Sequence, residues 1–468
     1  MHHANSPDPR RVRILVLAAA LALAGCALKV PPDAKQLTAT ELDHAALPAG
    51  WKAGGTAGAV QDRWLASFDD PRLLPLAEEA LRYNNDLRLA ASRVETASVA
   101  LKAAGGGLYP EVNVVGRTSG KATGASGQLS GVLVSASWEI DLWGRVRYGQ
   151  QAADAQYASA QADYRAAQQS IVATLAKGWF LAAEAAQQQR VVTDMVAAAQ
   201  RLVKLSEDRL RVGAGADADV AIARANLQSY RDSALQIAFA LGQSRRALEV
   251  LLGRYPAAEI ELPSTLATLP AGAATGVPSD LLERRPDVIA AQRRVASAFA
   301  RVGEAGAARL PRVSLTAALS TISSSVFVLQ QRDDPSLGVG ASVIYPLFNG
   351  GQLAAQAELR TSEQKQAAVA FAQTALRAFN EVEGALAAEA SLAAREPVLR
   401  QGLADSTRAV ELEQVRYRVG SRDLRSVTQQ QLAAYSAGLS LLRVQTEQRL
   451  QRVQLHLALG GDFAAAPP

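Results

Sequence analysis

Two kinds of hydrophobic pattern alternate along the chain, and the alternation occurs twice. Period-two alternation, the mark of a strand with two unlike faces, sets Val132, Val134, Ala136, Trp138 and Ile140 against Ser135, Ser137, Glu139 and Asp141. A partner strand is expected at about 111–118, across a loop of mostly small and polar residues at 119–128. Further on, Val313, Leu315, Ala317 and Leu319 predict another strand, and Leu337, Val339, Ala341, Val343 and Tyr345 its partner. The pattern therefore predicts two β-hairpins, four strands in all.

A helical stretch precedes each hairpin, at 73–104 and 281–308, and a longer one follows it. With no proline between Pro110 and Pro256, one helix can run Arg145–Arg211, roughly 100 Å at about 1.5 Å per residue. Its positions Ala153, Tyr157, Ala160, Tyr164, Ala167 and Ile171 alternate spacings of four and three, as in a coiled-coil seam. In the second half Pro397 is expected to kink or break the equivalent helix. Turns near Val212-Gly213 and Val419-Gly420 return the chain through 220–252 and 427–459.

The duplication is visible residue by residue. Asp86, Ala90, Arg93, Val94, Gly105, Pro110 and Val112 recur 201 positions later as Asp287, Ala291, Arg294, Val295, Gly306, Pro311 and Val313. Leu181-Ala182-Ala183-Glu184-Ala185 recurs at an offset of 205, and Arg209, Val212, Gly213, Val220 and Gly253 recur at 207 as Arg416, Val419, Gly420, Val427 and Gly460. An offset that only grows is what small insertions between two copies produce. The organisation read from this is a removable leader (1–25), a linker (26–70), a first repeat (71–261), an inter-repeat linker (262–278), a second repeat (279–461) and a short tail (462–468).

Composition thins the expected core. Alanine makes up about a fifth of the chain, far above ordinary usage, while aromatics are only 5%. Such a core suits helices packed close together. The net charge of +5 falls to +3 without the leader, whose Arg10, Arg11 and Arg13 face only Asp8. So small an excess gives no electrostatic case for nucleic acid. Cys26 is the sole cysteine and only four histidines occur, two of them in the leader. No thiolate metal cluster, cofactor site or catalytic triad is read from that stock, and no enzyme is expected. Paired carboxylates such as Glu78-Glu79 read as a solvated helix face.

The leader carries its own chemistry. Its three arginines precede an apolar run from Ile14 to Ala24 that is too short to span a bilayer as a helix. It closes in Leu23-Ala24-Gly25-Cys26, small residues that fit a signal peptidase followed by a thiol that can carry lipid. This resembles the bacterial lipoprotein signal, and Ala27, in place of an aspartate, implies sorting to the outer membrane. Several acyl chains anchor durably where one binds only marginally.

Strands with one apolar face, flanked by Trp138, Trp143, Tyr148, Tyr345 and Phe348, suit a lipid-facing barrel with aromatics at the membrane interface. Four strands cannot close a barrel, and open edges are not tolerated in hydrocarbon. Two chains would supply eight strands and three would supply twelve; the wider ring leaves room for a conduit, and a homotrimer is expected.

Several motifs resemble the outer-membrane efflux proteins: Trp64-Leu65-Ala66-Ser67-Phe68-Asp69-Asp70-Pro71-Arg72-Leu73, Asn85-Asp86-Leu87, and above all Val277-Pro278-Ser279-Asp280-Leu281-Leu282-Glu283-Arg284-Arg285-Pro286-Asp287. Asp141-Leu142-Trp143-Gly144-Arg145 and Pro346-Leu347-Phe348-Asn349-Gly350-Gly351 resemble the family's barrel-to-helix junctions. The resemblance is to the lipoprotein, NodT-like branch of TolC-type factors. It implies a mostly α fold with a membrane β-barrel portion: a trimeric twelve-strand barrel continued by an α-helical tunnel. It further implies a periplasmic adaptor and an inner-membrane resistance-nodulation-division pump as partners. No phosphate-binding loop is present, since Gly105–Gly107 is followed by no Lys-Ser/Thr, so the chain is expected to be a passive duct for small toxic compounds or drugs. A protein-secretion channel and a non-conducting lipid-anchored coiled-coil scaffold are the alternatives.

The resemblance also assigns roles at the two turns. Arg209, Val212 and Gly213, with Arg416, Val419 and Gly420, match the family's periplasmic tip, where the adaptor docks. Asp219, Tyr417 and Arg422 match the residues that hold that tip shut, and Ser426 and Gln429 stand where relatives often carry carboxylates.

Overall fold

The computed structural model describes residues 28–463 apart from 46, 57, 118–128, 321–322 and 325–335. Cys26 and the hairpin loop expected at 119–128 lie outside the described residues. The chain forms two compact units, each drawing on both halves of the repeat. One comprises 28–44, 92–162 and 289–374, the other 45–91, 163–288 and 375–463. In chain order the elements are α1 (Ala34–Glu41), a 3-10 turn (Trp64–Phe68), α2 (Leu73–Tyr83), α3 (Asn85–Gly106), β1 (Glu111–Arg117), β2 (Leu129–Ile140), α4 (Arg145–Arg211) and α5 (Asp217–Leu251). The second half gives α6 (Pro278–Arg284), α7 (Pro286–Ala307), β3 (Arg312–Ser320), β4 (Ser323–Ser324), β5 (Ser336–Ile344), α8 (Gln352–Arg418) and α9 (Leu424–Ala458).

The first unit holds the sheet. β1 and β2 form one antiparallel hairpin, β3 and β5 the other, and β2 pairs antiparallel with β3, giving the order β1-β2-β3-β5. The two hairpins are thus one continuous sheet, which their alternation alone did not dictate. Two-residue β4 pairs with the start of β2. Under the sheet-bearing hairpins α4 and α7 approach closely through small residues. Ser297 Oγ donates to the Ala152 carbonyl at 2.8 Å, and Ser159 Oγ to that of Ala290 at 3.1 Å. A side chain at Gly303 would begin 2.6 Å from the Tyr148 ring.

This packing corrects two expectations. Tyr148, expected among the interface aromatics, is 8% exposed, packed with Ala152, Ala300 and Leu28, and its hydroxyl accepts from the Lys29 amide. Gly303 makes the slot that admits the ring, so the tyrosine turns inward. The expected seam is displaced over its first part, where Ala152, Ser159 and Ala162 are buried and Ala153, Tyr157 and Ala160 half-buried, whereas Ile171 is buried with the half-buried Tyr164 and Ala167 packed on the same core. Close approach of α7 selects the smallest stripe of α4.

The second unit has the larger core. Trp64, Leu65 and Phe68 of the 3-10 turn, with Leu73, Ala77, Ala80 and Leu87, pack on the stretch of α4 from Ile171 to Ala182, with Leu248, Leu252 and Val453. Trp179 Nε1 donates to Asp70 at 2.9 Å, Arg72 lies over the Trp179 ring, and Phe68 meets Phe180 with ring centres 4.9 Å apart. Trp64 stacks on His456, whose burial pushes its pKa down to about 4, with Arg452 adding to the shift, so the imidazole is neutral.

Two expected helices are each interrupted once. Asn84 ends α2 and caps α3: its Oδ1 accepts from the amides of Asp86 and Leu87, and its Nδ2 donates to Leu251. Arg285 separates α6 from α7, as a residue before proline is driven to extended backbone. Pro397, by contrast, does not break α8, which runs unbroken over 67 residues. The proline is solvent-exposed, so the carbonyl that loses its helical donor can turn to water.

Candidate channel wall and helical tip

The sheet register makes its two faces unlike. Val114, Val134, Leu319 and Leu337 form one cross-strand row, and Val112, Ala136, Ala317 and Val339 the next. Trp138, Leu315 and Ala341, then Ile140, Val313 and Val343, extend the same face. The opposite face carries Asn113, Ser135, Ala318 and Gly338, then Glu111, Ser137, Thr316 and Gly340, then Glu139, Ser314 and Ser342. One side is a continuous apolar surface, most exposed among the described residues at β5, where Val339 is 80% exposed and Leu337 73%. The other is mostly small and polar, with Val115 and Leu133 as apolar members of the row nearest the loop. β1 and β5 are each paired on one side only among the described residues.

Aromatics cluster at one end of this sheet. Trp138 Nε1 donates to the Leu108 carbonyl and Trp143 Nε1 to that of Pro311, at 3.0 and 2.7 Å, while both rings stay exposed. Tyr345 and Phe348 follow directly on β5, whose last residues pair at this same end of the sheet, and are exposed, the latter 92%. An indole with its N–H satisfied and its ring bare suits a membrane–water boundary. The junction motif has a mechanical explanation. Asp141 accepts from the amides of Val146 and Arg147 at the start of α4, and Glu139 pairs bidentately with Arg145. Strand end and helix start are thereby locked together.

The strongest sequence motif turns out to be a staple of the second unit. The Arg285 guanidinium is held by both Asp287 oxygens, by Glu381 at 2.6 Å and by the Ala458 carbonyl, and Arg284 reaches Asp62. The linker between repeats is held by Arg190 on the Ser264 carbonyl, Arg449 on that of Ala267 and Arg452 on those of Pro270 and Ala271. Arg452 also pairs with Glu389.

The two helical turns end α4 and α8 in the same way. Gly213 donates to Leu210 and Ala214 to Arg209; Gly420 donates to Tyr417 and Ser421 to Arg416. These are the paired bonds of a Schellman ending, with φ of +73° and +81° at the two glycines. The repeat of Arg, Val and Gly in the sequence is therefore a repeat of helix stops. Val212 and Val419, at 76% and 74%, stand exposed on the two turns.

Around the turns, Tyr417 is buried with Leu202, Ala223, Leu424 and Val427, and its hydroxyl has no hydrogen-bond partner among the described residues. Burial pushes its pKa up, with the Asp219 charge adding to the rise and Arg209 opposing it. Within one chain Arg422 is not brought onto Asp219: its Nε lies 3.8 Å from Glu413, which also pairs with Arg416 at 2.8 Å. Glu413 was not singled out from the sequence, although its i, i+3 spacing to Arg416 could have signalled it. Asp423 caps α9, accepting from the amide and hydroxyl of Ser426 at 2.9 and 2.7 Å, and these bonds hold its carboxyl below the usual range.

Comparison with known proteins agrees with this architecture. The sequence profile of the outer membrane efflux protein family matches residues 76–254 and 277–461, one segment in each repeat. The pyoverdine export outer membrane protein OpmQ of Pseudomonas putida is 29% identical, covering 98% of this chain and 99% of its own. The cation efflux system protein CusC of Escherichia coli is 26% identical, covering 96% and 99%. Among solved structures, the outer-membrane channel OprN superposes with a TM-score of 0.81 at 26% identity over 90% of this chain and 97% of that one. The open state of the Neisseria gonorrhoeae MtrE channel gives 0.74 at 26% identity over 94% and 99%. The fold is TolC-like, and the family is one of channels, not an enzyme class. The chain belongs to the outer membrane efflux protein family and acts at the outer membrane as the exit component of an efflux system.

Proposed function

We propose that three copies of this chain close a twelve-strand barrel and passively conduct small toxic compounds or drugs, delivered by a periplasmic adaptor and an inner-membrane resistance-nodulation-division pump. The observation that carries this reading is the sheet itself. It has one bare apolar face, one small polar face and two free edges running in opposite directions. An even number of strands lets β5 of one copy pair antiparallel with β1 of the next, so the ring closes without a mismatched seam. The exposed valines of the two turns offer the adaptor an apolar footing. Planar-bilayer recording tests the duct: discrete ion currents from purified oligomer support it, and their absence favours a scaffold.

The mouth of that duct is assigned to the helical tip, with Asp219, Tyr417 and Arg422 holding it shut. The tip is wet, and each contact contributes only about 0.2–1 kcal/mol. Repeated in three copies, such losses still add up to a marked opening bias, since about 1.4 kcal/mol is tenfold. Asp219→Ala combined with Arg422→Ser is expected to raise single-channel conductance and to sensitise cells to large antibiotics such as vancomycin. With Ser426 and Gln429 at the mouth and Asp423 engaged in capping, multivalent cations should block the opened pore weakly. Unchanged conductance in an intact oligomer would place the constriction elsewhere.

Cys26 is proposed to carry the lipid that joins the barrel in anchoring the chain. Cys26→Ser should accumulate unprocessed precursor and lose metabolic palmitate labelling. Labelling that persists in this variant would remove the assignment, because the chain has no other thiol.

A further inference from the structure

Arg209 and Arg416 occupy equivalent places in the two repeats, yet their side chains do different things. Arg416 stays on its own helix, bonded to Glu413 at 2.8 Å. Arg209 leaves its helix. Its Nη1 donates to the Tyr417 carbonyl at 2.5 Å and to the Arg418 carbonyl at 3.3 Å, while Nη2 donates to the Ala214 carbonyl at 2.8 Å. Its guanidinium carbon also lies 4.7 Å from the centre of the Tyr417 ring. Tyr417 and Arg418 lie in the last turn of α8, where the helix dipole is negative and carbonyls lack donors within the helix, that of Tyr417 being met from beyond it by the Gly420 amide. A fixed planar fork carrying a full charge is the side chain suited to gather carbonyls from two separate turns. The same group covers the buried ring, whose hydroxyl has no partner among the described residues.

We propose that Arg209 is a positioning residue, a one-way clasp that holds the first turn against the end of α8 and keeps the tip closed. This rests on the reading of the tip as the duct's mouth and adds to it a residue other than the three assigned above. The clasp runs in one direction in each copy, because the equivalent arginine of the second repeat is occupied at home.

The test compares Arg209→Gln, Arg209→Lys and Arg416→Gln in the full-length oligomer, with two readouts. Hydrogen exchange at the amides of 212–216 and 417–423 reports whether the turns separate, and bilayer conductance reports whether separation opens the duct. Arg209→Gln should speed exchange in both turns by about tenfold or more, the loss expected for charge-assisted bonds, and should raise conductance. Arg209→Lys, which keeps the charge and loses the fork, should fall between Arg209→Gln and the parent. Arg416→Gln, which loses only a bond to Glu413 on its own helix, should speed exchange less than Arg209→Gln does. Parental exchange in Arg209→Gln, or an equal rise in Arg416→Gln, overturns the clasp. If Arg209→Gln does not assemble, Arg209→Lys decides: an intermediate rise supports the clasp and parental exchange overturns it. Faster exchange in an oligomer that carries no current in any variant leaves the clasp standing and removes the duct reading.

Discussion

Trp64→Ala should destabilise the helical unit by about 3–5 kcal/mol, the range for truncating a buried tryptophan. Trp64 is 1% exposed, stacks on His456 with ring planes 11° apart and meets Phe68 edge-on. Its segment is pinned just before the ring, the Arg63 amide donating to the Asp462 carbonyl and the Asp462 amide to Asp62. Removing the ring therefore leaves a cavity that the pinned backbone cannot collapse to fill. It also uncovers a neutral imidazole whose Nδ1 already lacks a partner. The expected result is a lowered midpoint for loss of helical signal on heating, with far smaller losses for an exposed aromatic such as Tyr255→Ala. Equal effects from the two would mean that the 3-10 turn is a surface strap and not part of the core.

The second large effect concerns the bare face of the sheet. Val339→Arg places a charge on the apolar row with Ala317, Ala136 and Val112, where lipid is expected. The cost is about 2–4 kcal/mol per copy near the bilayer midplane, and a trimer incurs it three times. Ala318→Arg, one row away on the small polar face, should assemble normally and reduce conductance by narrowing the lumen. Native mass spectrometry in detergent is the measure: trimers for the parent and Ala318→Arg, few or none for Val339→Arg. A dominant folded monomer in the parent would refute barrel closure by three chains. Tolerance of Val339→Arg with rejection of Ala318→Arg would invert the assignment of the faces.

What was legible in the sequence follows from what each residue's job depends on. Strands, long helices and turns depend on local pattern, so α4 appears over the span expected and the four helix stops fall at the repeated glycines. Short interruptions depend on one residue's partners. Asn84 breaks a helical stretch because Leu251 and two amides are there to bond it, and nothing in 73–104 announces that. Tyr148 has the composition of an interface aromatic and is buried because Gly303, far along the chain, leaves room for its ring. Pro397 carries the local signal of a break and has no such effect on an exposed side of a long helix. At the tip, the repeat pairs Arg209 with Arg416, but only the surroundings decide that one arginine reaches across and the other does not.

The ties between helix starts and helix ends bear on how such a chain could have arisen. In the first half Glu79 pairs with Arg254 and Asn84 bonds Leu251, so the beginning of that half is fastened to its own end. The second half does the same, with Arg285 on the Ala458 carbonyl and Gly460 packed against the backbone of Arg284. Each repeat is thus a closed clasp of one hairpin and one pair of antiparallel long helices. A half-length ancestor would already have carried these ties, and six of its copies would supply as many strands as three of the present chain. Doubling the gene replaces sixfold identity with two alternating kinds of half. That divergence frees one kind of turn to specialise, as the unequal behaviour of the two arginines illustrates.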